Sequence, residues 1–154
     1  HIIEGDLKKP KLPLILGHQI VGIIEEIGEK AFGFKIGDRI GVPWLGNTCH
    51  GCEYCLEDKE NLCDKAQFTG YDIDGGLAEY AVCSYQFAYL LPEEFEDEKV
   101  APLLCAGLIG YRSYKKAQAK KTIGMYGFGV AAHILTQLAL YQKKRSMHLQ
   151  GKET

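Results

Sequence analysis

Four cysteines stand at Cys49, Cys52, Cys55 and Cys63, in the pattern Cys-x2-Cys-x2-Cys-x7-Cys. Thiolate sulfur is a soft donor, and four thiolates in so short a span can close a tetrahedral shell around one zinc ion. A shell closed by protein leaves no position for a substrate. The pattern therefore predicts a metal that holds a loop together, with any reaction carried elsewhere. Two other chemistries use such a run. Disulfides suit secreted chains, and no signal-peptide pattern is visible, although the sequence opens on His1 and an upstream signal stays open. An iron–sulfur cluster also takes four cysteines. Zinc is the preferred reading, because Asn47, Gly51, Asp58 and Asn61 suit a tight loop that wraps an ion.

A second chemical signal is Gly127-x-Gly129-x-x-Ala132. It follows the short strand pattern Lys121–Tyr126 and opens an apolar-periodic helix running to about Tyr141. Strand, glycine turn and helix are the opening of a dinucleotide-binding unit. The glycines let backbone approach a pyrophosphate, and the helix N-terminus supplies donors and partial positive charge. His18 and Cys105 are also potential ligands, but each stands alone in sequence, and alone each reads as a structural histidine and a buried thiol. Cys83, in an alternating stretch, reads as a buried thiol too.

The elements that must position these residues change character along the chain. From Leu14 to about Tyr89 short strand patterns are broken by glycines. Gln19–Ile27 is a β-branched run, Gly37-Asp38 marks a turn into a strand ending at Val42, and Leu77–Cys83 follows Gly75-Gly76 as another strand candidate. Several short strands with turn signals predict a partly closed β-barrel. Beyond Pro92 the pattern becomes helical, with one helix expected over Val100–Ala117 and Pro102 in its first turn. A dinucleotide unit needs a second strand after its helix and an acidic residue about 20 positions past the glycines. Lys143–Thr154 is polar and lacks a β run, so it reads as a tail that never forms that strand. The chain is expected to be incomplete at both ends.

Composition limits the function classes. The 154 residues are 46% hydrophobic and 25% charged, ordinary for a globular protein. Net charge is −2, which offers no basic field for nucleic acid, and the lysine clusters at 115–121 and 143–145 read as solvated surface. No apolar run is long enough to span a bilayer.

Gly17-His18-Gln19-x2-Gly22-x5-Gly28-x2-Ala31 makes a resemblance specific. It is similar to the zinc signature of the zinc-containing alcohol dehydrogenases, in the medium-chain dehydrogenase/reductase superfamily. Those proteins also carry a four-cysteine lobe some way further on. The resemblance continues, in order, through Gly37-Asp38-Arg39, Gly75-Gly76-Leu77-Ala78-Glu79-Tyr80, Cys105-Ala106-Gly107 and Gly127-x-Gly129-x-x-Ala132, up to about residue 142. It implies mixed β and α/β architecture: a GroES-like, partly closed β-barrel catalytic domain at 1–105, then the start of a Rossmann domain at 106–154. It implies a catalytic zinc held by two cysteines, a histidine and a water. His18 matches the histidine and Cys105 the second cysteine; the first cysteine would precede His1. Gln19 replaces the family's usual glutamate and carries no charge. His1 falls near a proton-relay histidine, and Trp44 matches a bulky pocket position of relatives that take small alcohols.

The activity implied is reversible hydride transfer between a small alcohol, or its aldehyde, and NAD or NADP. The full-length enzyme would be a cytoplasmic homo-oligomer without nucleic-acid or membrane partners. The 154-residue chain, with two of three catalytic ligands, is expected to be nearly inactive alone. The rival is a non-catalytic zinc-binding fragment of such an enzyme. A zinc-ribbon nucleic-acid binder is disfavoured by charge, and a zinc-free quinone reductase by the cysteine lobe.

Overall fold

Ile20-Val21-Gly22-Ile23 is the β-branched stretch that forms the first strand. In the computed structural model, residues 1–7 and 10–149 are described, and the chain divides into two units, His1–Leu104 and Cys105–Thr154. The first unit contains β1 (Ile20–Ile23), β2 (Arg39–Val42), β3 (Leu45–Asn47), α1 (Glu53–Leu56), β4 (Gln67–Phe68), β5 (Tyr89–Leu90) and α2 (Asp97–Val100). β1, β2 and β5 form one antiparallel sheet in that order, and β3 and β4 form a second pair. The β1–β2 register runs from Ile20 opposite Val42 to Ile23 opposite Arg39.

The expected turn at Gly37-Asp38 leads into β2. Gly37 N–H donates to the Ile24 carbonyl at 2.9 Å, and Lys35 N–H donates to the Asp38 carboxylate at 2.9 Å. β2 also organises the segment beyond β5. The Arg39 guanidinium donates to the carbonyls of Pro92 (2.6 Å) and Phe95 (2.8 Å) and, through Nε, to Asp97 Oδ1 (2.8 Å). Val42, Phe87, Val100 and Leu104 are the buried hydrophobic residues around this sheet.

Several expectations need correction. The run Gln19–Ile27 yields a strand only over Ile20–Ile23. Leu77–Cys83 is not a strand. Its flanking glycines bond instead to the loop before β1: Gly75 N–H to Ile15 O at 2.7 Å, Gly76 N–H to Gly17 O at 3.1 Å and Leu77 N–H to Leu16 O at 2.9 Å. Alternation sets where side chains point, but a strand also needs a neighbour with free backbone groups. Among the described residues the strands form a three-stranded sheet and separate pairs, and no barrel closes. The single helix expected over Val100–Ala117 is three pieces: α2, a 3₁₀ turn at Ala101–Leu104, and α3 (Ala106–Ala117). The break falls at Cys105, whose dihedrals (φ −132°, ψ −75°) are non-helical.

In the second unit, α3 is followed by β6 (Thr122–Tyr126), α4 (Val130–Tyr141) and β7 (Arg145–Leu149). Tyr114, Ile123, Met125, Leu135 and Ala139 form its core, with Ala132 packed against them. Tyr114 Oη donates to Gln142 Oε1 at 2.7 Å. β7 overturns the expectation of a strandless polar tail. It pairs in parallel with β6, from Thr122 opposite Arg145 to Tyr126 opposite Leu149. Ser146 lies beside buried Ile123, and His148 Nε2 is 3.2 Å from Thr136 Oγ1 of α4. The helix-facing side of this strand is therefore polar, which leaves no hydrophobic run to read, while backbone pairing supplies the ladder. The tail residues 150–154 lie outside the described residues.

Candidate metal centre

β3 delivers the chain to the cysteine loop. Thr48 follows it and is buried, and Cys49 comes next. The loop then reverses at His50, which adopts a left-handed conformation (φ 57°), as does Asp58 (φ 56°). His50 Nε2 lies 3.2 Å from Asn47 Oδ1, and Asn47 Nδ2 donates to Gln67 Oε1 at 3.0 Å. Those side chains tether the reversal to β3 and β4. α1 carries Cys55, and Leu56 N–H donates to Cys52 O at 3.0 Å. A 3₁₀ turn at Glu60–Leu62 brings round Cys63, which is buried, while Cys49, Cys52 and Cys55 are half-buried.

The four sulfurs all lie within 4.8 Å of one another. Cys52 to Cys55 is 3.5 Å, Cys63 to Cys49 is 3.5 Å and Cys49 to Cys55 is 3.9 Å. A disulfide needs about 2.05 Å, and all four cysteines are free. A regular tetrahedron with Zn–S near 2.3 Å has edges of about 3.8 Å. These three separations are close to those edges, and the donor set suits zinc.

Electrostatics within the cluster are divided. The Gly51 and Cys52 amides, with smaller help from the thiols of Cys63 and Cys52, lower Cys49 to about 6. The Cys55 amide favours the Cys52 thiolate, but burial and the three neighbouring thiols outweigh it and raise Cys52 to about 11. Cys55 is lowered, chiefly by the Thr48 hydroxyl. Four thiolates repel one another, so a bound dication is what lets them coexist.

The other candidate residues lie outside this cluster. His18 is exposed and precedes β1; the close approach of Gly75 sets its turn, since a Cβ on Gly75 would fall 2.0 Å from Gly17 O. Gln19 beside it is exposed. Cys105 is half-buried and opens the second unit as the cap of α3. His1 is exposed, with Nδ1 2.9 Å from Asp6 Oδ2. Trp44 is half-buried and stacks on Phe68, ring centroids 4.6 Å apart. Gly127 has φ +82°, which L side chains rarely adopt, and Gly129 caps α4 by accepting from His133 N–H at 3.0 Å. A Cβ on either glycine would meet nothing within 4 Å, so the turn is open on its outer side.

Two residues escape the sequence pattern. Arg39 appears there only as part of a motif, and its grip on residues 92–97 needs the fold. Thr48 carries no signal beyond lying next to a cysteine.

The first 93 residues match the family model described as the alcohol dehydrogenase GroES-like domain. A probable alcohol dehydrogenase, AdhA, of Mycobacterium tuberculosis is 45% identical, with 92% of this chain and 43% of that protein covered. An alcohol dehydrogenase of Geobacillus stearothermophilus is 42% identical, covering 90% of this chain and 42% of that protein. Among solved structures, CAD from Helicobacter pylori, complexed with NADP(H), superposes with a TM-score of 0.83 at 32% identity, covering 92% of this chain and 44% of that one. The alcohol dehydrogenase of Aeropyrum pernix gives 0.78 at 32% identity, covering 96% and 44%. The chain thus spans less than half the length of these relatives.

Proposed function

The chain belongs to the alcohol dehydrogenase family of the medium-chain dehydrogenase/reductase superfamily, and from that membership we propose that it is part of a zinc-dependent, NAD(P)-linked alcohol dehydrogenase. The convergence of four cysteine sulfurs within 4.8 Å is the observation that carries the zinc-dependent part of this reading. In it, Cys49, Cys52, Cys55 and Cys63 hold a structural zinc that braces the loop between β3 and β4. Residues 1–105 serve as the catalytic domain and 106–154 as the start of a Rossmann cofactor domain; the parallel β6–α4–β7 unit supports that assignment.

His18 and Cys105 are the two ligands this chain offers a catalytic zinc. Bound zinc supplies Lewis-acid polarisation of the substrate oxygen, and bound nicotinamide accepts or returns the hydride. The chain's own residues do the rest. His18 must present a neutral imidazole nitrogen and Cys105 a thiolate. Gly127 and Gly129 leave the pyrophosphate room to approach, and the first amides of α4 receive it; Ala132 keeps the helix close to the sheet. Trp44 bounds the substrate pocket and favours short alcohols. His1 passes a proton to solvent. Substrates are small alcohols and aldehydes, and the whole enzyme is a homo-oligomer.

The alternative is a zinc-binding fragment without catalysis, favoured by a chain that spans 43% of its relative. Purified 1–154, assayed for zinc content, NAD(P)H binding and oxidation of short alcohols, separates the two. One zinc with NAD(P)H binding and negligible turnover supports part of an enzyme whose catalytic shell is completed by other residues, and one zinc without NAD(P)H binding favours the non-catalytic fragment. Robust turnover overturns the need for a third ligand, and a zinc-free protein overturns the metal assignment.

A further inference from the structure

The first unit carries a cleft of about 530 Å³, within the size range of a small-molecule site. Five rings line it: Phe32, Phe34, Tyr85, Phe87 and Tyr89. They come from the segment before β2, from the 3₁₀ turn at Tyr85–Phe87 and from β5. The Phe32 and Tyr85 rings stand 4.9 Å apart at 56°, and Phe87 lies 6.0 Å from the His50 ring. Phe87 is buried, but Phe32 is 73% exposed and Tyr89 50% exposed. Five rings around one space open to water form a surface that gains by being covered.

The cysteine loop supplies His50, Glu60 and Asn61 to the same cleft. Glu60 is half-buried, and its carboxylate has neither an ion pair nor a hydrogen bond among the described residues. Glu57 of the same loop, by contrast, pairs with Lys59 at 2.6 Å. Among the described residues no lysine or arginine lines the cleft, so the Glu60 carboxylate is its one permanent charge. The face of an aromatic ring carries the negative end of its quadrupole and attracts cations. Rings and carboxylate therefore select the same sign. A metal cation would have to shed a tightly held hydration shell to use the rings. An ammonium bearing methyl or methylene groups is weakly hydrated and covers apolar surface as it binds.

We propose that this cleft binds a small organic ammonium ion, its nitrogen towards Glu60 and its carbon groups against the rings. The site goes beyond the dehydrogenase reading and uses none of the residues assigned to zinc, alcohol or nicotinamide.

The test is an NMR titration of the 154-residue chain, in buffer containing zinc, with benzyltrimethylammonium. Signals of Phe32, Phe34, Tyr85 and Tyr89 should shift saturably, with a Kd of about 1 mM or below. Phenylmethanesulfonate, which carries the same ring with a negative head, should leave them unmoved. Glu60→Gln and Tyr85→Leu should each weaken the cation about 3- to 10-fold, the range of a partly desolvated ion contact. Glu57→Gln, whose carboxylate already has a partner, should change nothing. Equal binding of the sulfonate, shifts confined to residues outside the cleft, or no saturation by about 10 mM overturns the proposal. Tighter binding of a Gly-Lys-Gly peptide than of benzyltrimethylammonium assigns the cleft to a polypeptide and also overturns it. If Glu60→Gln or Tyr85→Leu does not fold, the contrast between cation and sulfonate on the wild-type chain decides alone.

Discussion

Cys49 and Cys63 lie at opposite ends of a turn-rich loop, and their sulfurs stand 3.5 Å apart without a bond between them. That relationship ties the end of β3 to the residues before β4. It makes the whole loop depend on whatever occupies the space between the sulfurs.

Removing one ligand should therefore release the metal and loosen the loop together. Cys63→Ser replaces the buried member of the set. Zinc per chain, measured by atomic absorption, should fall from one to near zero. At zinc about 1,000 times its Kd, the wild type should be more stable than the variant by about 4 kcal/mol. Limited proteolysis should then cut within 49–63. Full zinc in the variant would show that three sulfurs suffice.

Zinc affinity should rise with pH. A ligand thiol must lose its proton to bind, and Cys52 is raised to about 11 while Cys49 is lowered to about 6. Near neutral pH Cys49 is thus already ionised and Cys52 is not, so binding expels protons. As pH falls through about 6, Cys49 also takes a proton and competes with the metal. Calorimetry in buffers of different ionisation heat should find protons released on zinc binding at neutral pH. A proton count of zero would contradict the cluster's electrostatics.

Asp74 should make the first unit acid-sensitive. The Lys11 ammonium at 2.6 Å and the Ile15 amide at 3.0 Å hold its carboxyl below the usual aspartate value. A folded-state value below the unfolded one stabilises the fold above the unfolded value, and that contribution is lost as pH falls through the lowered one. Asp74→Asn should flatten this part of the dependence of the urea midpoint on pH. Parallel curves for variant and wild type would refute it.

Arg39 should be the costly residue of the β2 edge. Its side chain is 16% exposed, and it reaches two carbonyls and the Asp97 carboxylate at once. Arg39→Ala should lower stability by about 2–3 kcal/mol and open residues 92–104 to protease, because charged hydrogen bonds in a half-dry setting are the stronger kind. Arg39→Lys should recover only part, since an ammonium lacks the planar fork. Unchanged cleavage in Arg39→Ala would show that the carbonyls are held by other contacts.

The sequence carried the family as a resemblance. By itself it determined the identity of the four clustered cysteines, the Gly37-Asp38 turn, and the strand–glycine–helix run at 122–141. Each rests on short spacings, where a loop length or a helical period restricts geometry before any packing occurs. The fold decided what depends on distant neighbours. Leu77–Cys83 alternates as a strand should but finds no ladder, whereas Arg145–Leu149 lacks a hydrophobic run yet pairs along β6. The helix breaks at Cys105 instead of running on from Val100. Arg39 matters through what stands across from it, the carbonyls beyond β5. Backbone pairing and buried donors are satisfied by whichever group is near in space, and one-dimensional spacing does not encode that group.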